Sequence, residues 1–237
     1  MARKAATERV DERRLRVALV EAGRRLGSRG LIAAGEGNLS IRLPGGRLLV
    51  TPAGRRKDEL EPDDLVVVAL TPDSGEAART PVGPRASSDL AIHRAVLVAR
   101  ADATSVAHAH LPATMALTLA GEAPDPTVLP ETALFLPRLA VLPFGEPGSV
   151  ELASRIAAAL TEPPAPYPGA LILERHGAVA IGGPPPTDDA ASDATERAIT
   201  GLAQAVDRLE LIEVLSRAWR DLILLRAARG GGYPSRR

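Results

Sequence analysis

Apolar positions recur along this chain with two periods, and the switches between them mark its elements. Leu15, Leu19, Ala22 and Leu26 follow helical spacing and predict a helix over residues 7–29, ended by G-S-R-G. Leu39, Ile41 and Leu43 then alternate, P-G-G turns at 44–46 and L-L-V returns, which predicts a β-hairpin. The run L-V-V-V-A-L at 65–70 predicts a buried strand, and the polar stretch at 71–84 a surface loop or short hairpin. Ser88 is placed to cap a helix running to residue 100, with Leu90, His93, Ala95 and Leu97 inside it. Residues 104–110 read as a strand, and Pro112 opens a helix to residue 119. R-L-A-V-L-P reads as a strand, and 150–160 as a helix that Ser149 can cap. A-L-I-L-E-R-H and A-V-A-I-G form a strand pair or one bent strand, and 187–229 is a long helical region of one helix or two. The expected organisation is a single domain over 1–225 with a flexible glycine-rich tail at 226–237.

Composition narrows the function classes. A chain of 237 residues can bury one full α/β core. Zero net charge and scarce aromatics argue against nucleic-acid or membrane-surface binding. The absence of cysteine rules out thiolate chemistry and fits the cytoplasm, the expected location. The charged N-terminus does not read as a secretory signal, and no apolar run reaches 18 residues. Lys4 and Lys57 are the only lysines, both in charged polar surroundings, so neither reads as the desolvated amine of a Schiff-base enzyme.

The four histidines carry the candidate chemistry. In V-A-H-A-H-L, His108 and His110 are two apart on a predicted strand, so both can face one ion. His176, in E-R-H-G, follows an apolar strand, with Gly177 letting the backbone approach closely. Three imidazoles with one position open is the pattern of a catalytic zinc site. Two histidines packed near a sheet end is the plain alternative. His93 reads as structural, on the inner face of its helix. Ser87, Ser88 and Asp89 precede a helix, where N–H groups and hydroxyls favour an anion, although ordinary capping explains them too. T-P-A-G-R-R is a second anion candidate, with Gly54 allowing backbone contact and Arg55 or Arg56 nearby; an ordinary turn is the alternative. Asn38 is a turn residue or a ligand contact. Asp89 is a candidate base, Glu131 a second acid/base, and Glu174 a group supporting His176.

Together, G-E-G-N-L-S, V-T-P-A-G, S-S-D-L-A-I-H, V-A-H-A-H and E-R-H-G-A-V-A-I-G resemble the class II aldolase/adducin family, in that order and over nearly the whole chain. The resemblance implies a three-layer α/β/α fold with a central, largely antiparallel sheet. It implies one Zn2+ per subunit, or another divalent transition metal, on His108, His110 and His176. Asn38, Gly54, Ser87 and Ser88 would bind the phosphate of a small sugar substrate. The implied reaction is cleavage of a ketose 1-phosphate to dihydroxyacetone phosphate and an aldehyde through a metal-stabilised enediolate. The implied assembly is a homotetramer with sites at subunit interfaces. Three departures bear on this. Asp89 stands where fuculose-phosphate aldolases carry Glu, as in ribulose-phosphate 4-epimerases. Ala53 replaces a phosphate-holding threonine. Tyr233 is the only late tyrosine that could complete a neighbouring site. Glu131 falls near the acid/base position of the epimerases and of methylthioribulose-1-phosphate dehydratases, so both remain alternative readings, beside a non-catalytic adducin-like interaction protein.

Overall fold

The computed structural model describes residues 10–71, 85–183 and 193–230. The expected loop at 71–84, apart from its first residue, the start of the long helical region at 187–192, and residues 231–237 with Tyr233 lie outside the described residues. The expectation of a flexible tail from 226 is corrected at its start, because 226–228 continue the last helix.

Helix α1 (Glu12–Ser28) starts where the Asp11 carboxylate accepts from the Arg14 N–H. Strands β1 (Asn38–Leu43) and β2 (Arg47–Val50) form the expected hairpin, with Gly45 and Gly46 at positive φ in its turn. Strand β3 (Val66–Ala69) is half-buried rather than buried, because it is the edge strand beyond β2. Helix α2 (Leu90–Ala99) is followed by β4 (Ser105–Ala109) and α3 (Pro112–Leu119). The short helix α4 (Pro130–Phe135) was not anticipated. Strand β5 (Leu139–Leu142) and helix α5 (Val150–Ala159) follow, the latter capped by the Ser149 hydroxyl, which accepts from Leu152 N–H. Strands β6 (Ala170–Leu173) and β7 (Gly177–Gly182) pair as a hairpin, and α6 (Ala194–Ala228) is one continuous helix.

Among the described residues seven strands form one sheet in the order β3-β2-β1-β4-β7-β6-β5, antiparallel except for the β5–β6 pair. Period-two alternation sends side chains to two cores. Ala107, Ala109, Ile172, Ala178 and Ala180 face α1 and α6, whereas Val106, Leu171, Leu173, Val179 and Ile181 face α2 and α5. The result is the expected α/β/α layering. Helix α6 packs closely on β7, since a Cβ on Gly182 would lie 1.6 Å from the Gly201 carbonyl oxygen. Among the described residues no helix is long and apolar enough to cross a membrane.

Candidate metal centre

One end of the sheet gathers the start of β1, the end of β4, the turn before β7 and the residues leading into α2. Asn38 and Val179 flank His108 in register on either side of β4. His108 is fully buried, and its Nδ1 lies 2.9 Å from the Ala178 carbonyl oxygen. A carbonyl only accepts, so Nδ1 carries the proton and Nε2 keeps its lone pair for the centre of the cluster. The His110 Nε2 lies 3.2 Å from the His108 Nε2, and the His110 Nδ1 lies 3.4 Å from Glu36 Oε1. His176 completes the group, with the three ligand atoms within 4.8 Å of one another.

Gly177 makes this convergence feasible. Its φ is +129°, and a Cβ there would lie 2.1 Å from the Ala109 carbonyl oxygen. The preceding turn is held from two sides. The Arg175 N–H donates to Thr118 Oγ1 on α3, and its guanidinium sits 4.4 Å from the Phe144 ring centroid. Glu174 accepts from the Phe144 N–H, so its carboxylate fastens the turn to the chain after β5 instead of supporting the His176 ring.

The donor set fits a divalent transition ion. Burial pushes His108 down to about 3, with His176 and His110 acting in the same direction. Burial and His110 also lower His176. Both rings can therefore present neutral lone pairs. The 3.2 Å between the His108 and His110 Nε2 atoms is close to the edge, about 3.3 Å, of a tetrahedron of ordinary Zn–N bonds, and the third ligand atom lies within 4.8 Å of both. The His176 Nδ1 is buried with no hydrogen-bond partner among the described residues, a polar atom that a ligand would satisfy.

Asp89 stands beside this group, its Oδ2 4.0 Å from His108 Nε2. It occupies the N-cap position of α2, but its side chain makes no cap hydrogen bond, and Ser88 is exposed. The carboxylate accepts from Asn38 Nδ2 at 2.8 Å. Asn38 Oδ1 in turn lies 2.6 Å from His93 Nε2, and His93 Nδ1 lies 2.7 Å from Ser40 Oγ. The amide oxygen only accepts, so His93 is protonated on Nε2 and accepts a hydrogen bond from the Ser40 hydroxyl at Nδ1. His93 is structural, as expected, and it fixes which way Asn38 points. Burial works against the Asp89 carboxylate, but His108, the Asn38 amide, His176 and His93 together keep its pKa below the ordinary value.

The adjoining cavity of about 170 Å³ takes its lining from Asn38, Gly54, Ser87, Ser88, Asp89, His110 and His176, together with Glu36 and Lys57. The structure thus brings eight of the nine expected site residues to one place, counting His108 through its contacts with His110 and Asp89. Gly54 has φ +67°, and a side chain there would project into open space. The ninth, Glu131, is exposed on α4 and lines a separate groove along α6 with Phe135, Leu211 and Val214. Within one chain it does not meet the histidines. That groove, about 430 Å³, is the larger cavity but contains no imidazole.

Two residues escaped sequence reasoning. Glu36, inside G-E-G-N, faces His110; its place before a ligand-bearing motif was the available signal. Lys57, expected on the surface, is only 2% exposed. Arg55 and Arg56, the expected cations of that loop, are instead engaged by Asp64 and by Asp58 and Glu59.

The sequence model of the class II aldolase and adducin N-terminal domain matches residues 17–218. Methylthioribulose-1-phosphate dehydratase of Methylococcus capsulatus is 35% identical over 100 residues, 42% of this chain and 46% of that protein. The chain thus spans about half the length of such curated relatives. The 3-oxo-tetronate 4-phosphate decarboxylase of Haemophilus influenzae is 30% identical over 169 residues, covering 69% of this chain and 75% of that protein. The crystal structure of L-fuculose-1-phosphate aldolase from Thermus thermophilus superposes with a TM-score of 0.70 at 28% identity, covering 94% of this chain and all of that one.

Proposed function

The chain belongs to the class II aldolase and adducin family, and from that premise we propose that it is a cytoplasmic, metal-dependent lyase that cleaves a small ketose 1-phosphate to dihydroxyacetone phosphate and an aldehyde. The observation that carries this reading is the convergence of three imidazoles beside one carboxylate, Asp89, at the mouth of a cavity that hydrogen-bond donors line. His108, His110 and His176 would hold a divalent ion, zinc by preference. When bound, it supplies Lewis acidity toward the substrate's carbonyl and hydroxyl oxygens.

The chain's own residues do the rest. Asp89, oriented by the Asn38 amide, takes the proton of the C4 hydroxyl as the C3–C4 bond breaks and returns it to C3 of the three-carbon fragment. One carboxylate suffices, because a single proton leaves oxygen and arrives at carbon. Ser87, Ser88, the Gly54 backbone and the remaining Asn38 N–H receive the phosphate, and the buried cavity walls limit water. Glu131 would reach a site only as a residue of a neighbouring chain, in keeping with a homotetramer whose sites lie between subunits.

A second reading is favoured by the names of the relatives. Dehydration would remove a proton from carbon and hydroxide from its neighbour, so it needs two acid/base groups. Asp89 and Glu36 both line the cavity. The two reactions separate by product. The zinc-loaded protein is incubated with L-fuculose 1-phosphate and with methylthioribulose 1-phosphate. Cleavage yields dihydroxyacetone phosphate, whereas dehydration yields a diketone phosphate with no shorter fragment. Asp89→Asn is expected to keep its metal and lose at least about 100-fold in kcat. Undiminished turnover in that variant would remove Asp89 as the base.

A further inference from the structure

Lys57 is the buried cation of this cavity, and the mechanism above leaves it unused. Its backbone is pressed against α1 at Gly23, where a Cβ would come within 2.4 Å of the Lys57 carbonyl oxygen. The close approach turns the side chain inward. Nζ donates to the Gly35 carbonyl at 2.7 Å and to the Arg55 carbonyl at 2.6 Å, tying the loop before β1 to the loop after β2. Both partners are neutral. Burial lowers the pKa of the ammonium, and the Asp89 charge opposes that effect.

An ammonium has three donors, and two are spent on carbonyls. Its direct partners are neutral and the Asp89 charge offsets only part of the desolvation cost, so a bound anion would relieve the rest. The other groups around it, the Gly54 backbone and the Ser87 and Ser88 hydroxyls, donate hydrogen bonds but bring no positive charge. At position 53 the chain presents only a methyl group to this cavity.

We propose that Lys57 is a substrate-binding residue, the fixed positive charge that holds the phosphate group between the 35–37 loop, the 53–54 turn and the start of α2. The identity of the anion rests on the ketose-phosphate reading above. The placement of the charge rests on the burial and hydrogen bonds of Lys57 alone. A charge-assisted hydrogen bond from Nζ is roughly twice as strong as a neutral one, so it compensates for the hydroxyl absent at Ala53.

The chain's two lysines make the test direct. In zinc-loaded protein labelled with 13C-lysine, only Lys4 and Lys57 give side-chain Cε resonances. On titration with inorganic phosphate the Lys57 resonance should shift saturably, while that of Lys4 stays fixed as the internal reference. Lys57→Gln, which keeps a donor for the loop carbonyls but no charge, should retain its metal and bind phosphate at least about tenfold more weakly. A Lys57 resonance unmoved up to tens of millimolar phosphate, or wild-type phosphate affinity in Lys57→Gln, overturns the assignment. If Lys57→Gln does not fold, the wild-type titration decides alone. A shifted Lys57 resonance without turnover of any ketose phosphate upholds this inference and defeats the reaction. Turnover with an unmoved resonance does the reverse.

Discussion

His93 shows how a residue outside the cavity orients one that lines it. Its ring is fully buried between Ser40 and Asn38, and through the Asn38 amide it orients Asp89. The arrangement requires a neutral ring, and burial pushes His93 from 6.5 down to about 4. Between those values the unfolded chain holds a proton that the folded chain refuses. Stability is therefore intact above about pH 6.5, falls as pH drops toward 4, and levels off below. Unfolding metal-stripped protein in denaturant at pH 7 and pH 4.5 should show a loss about 2 kcal/mol larger in wild type than in His93→Gln. Equal losses would mean that His93 is not held neutral. At this scale the clustering of His108, His110 and His176 was legible, because a two-residue repeat on a strand and a His-Gly after a strand are local signals. Lys57 was not. Its neighbours in sequence are charged, and only the contact with Gly23 on α1 turns it inward.

At the scale of elements, α3 acts as a strut between the two segments that carry the clustered histidines. It begins two residues after His110, and its far end carries Thr118, whose hydroxyl accepts the Arg175 N–H next to His176. Leu111 cannot cap the helix. The buried Glu213 carboxylate on α6 does so instead, accepting from the N–H groups of Ala113 and Thr114 and from Arg217 Nε. Thr118→Val is expected to cost about 1 kcal/mol in stability and about tenfold in zinc affinity, read by competition with a chelator. Unchanged affinity would reduce α3 to a packing element. The long elements were legible because period and caps agree, as Ser149 and Pro112 show. Helix α4 was not, because six residues behind a proline carry no measurable period. The cap from Glu213 lies 100 residues from Ala113, which it serves, beyond any local pattern.

For the whole molecule, the antiparallel order β1-β4-β7 decides where chemistry can occur. It lays the start of one strand beside the end of the next, so Asn38, His108, His110 and His176 meet at one end of the sheet although they span most of the chain. The ordered motifs made the α/β/α layering legible, whereas the position of Glu131 depended on how α4 folds against α6. Within the chain Glu131 lines a groove along α6 that contains none of the histidines. The whole functional reading rests on the three histidines forming a single metal centre. Elemental mass spectrometry can decide this, on protein purified without chelators and reconstituted with zinc, beside His108→Ala treated identically. About one zinc ion per wild-type chain and none in the variant is the expected result. Zinc retained by folded His108→Ala, or absent from wild type after reconstitution, would contradict it.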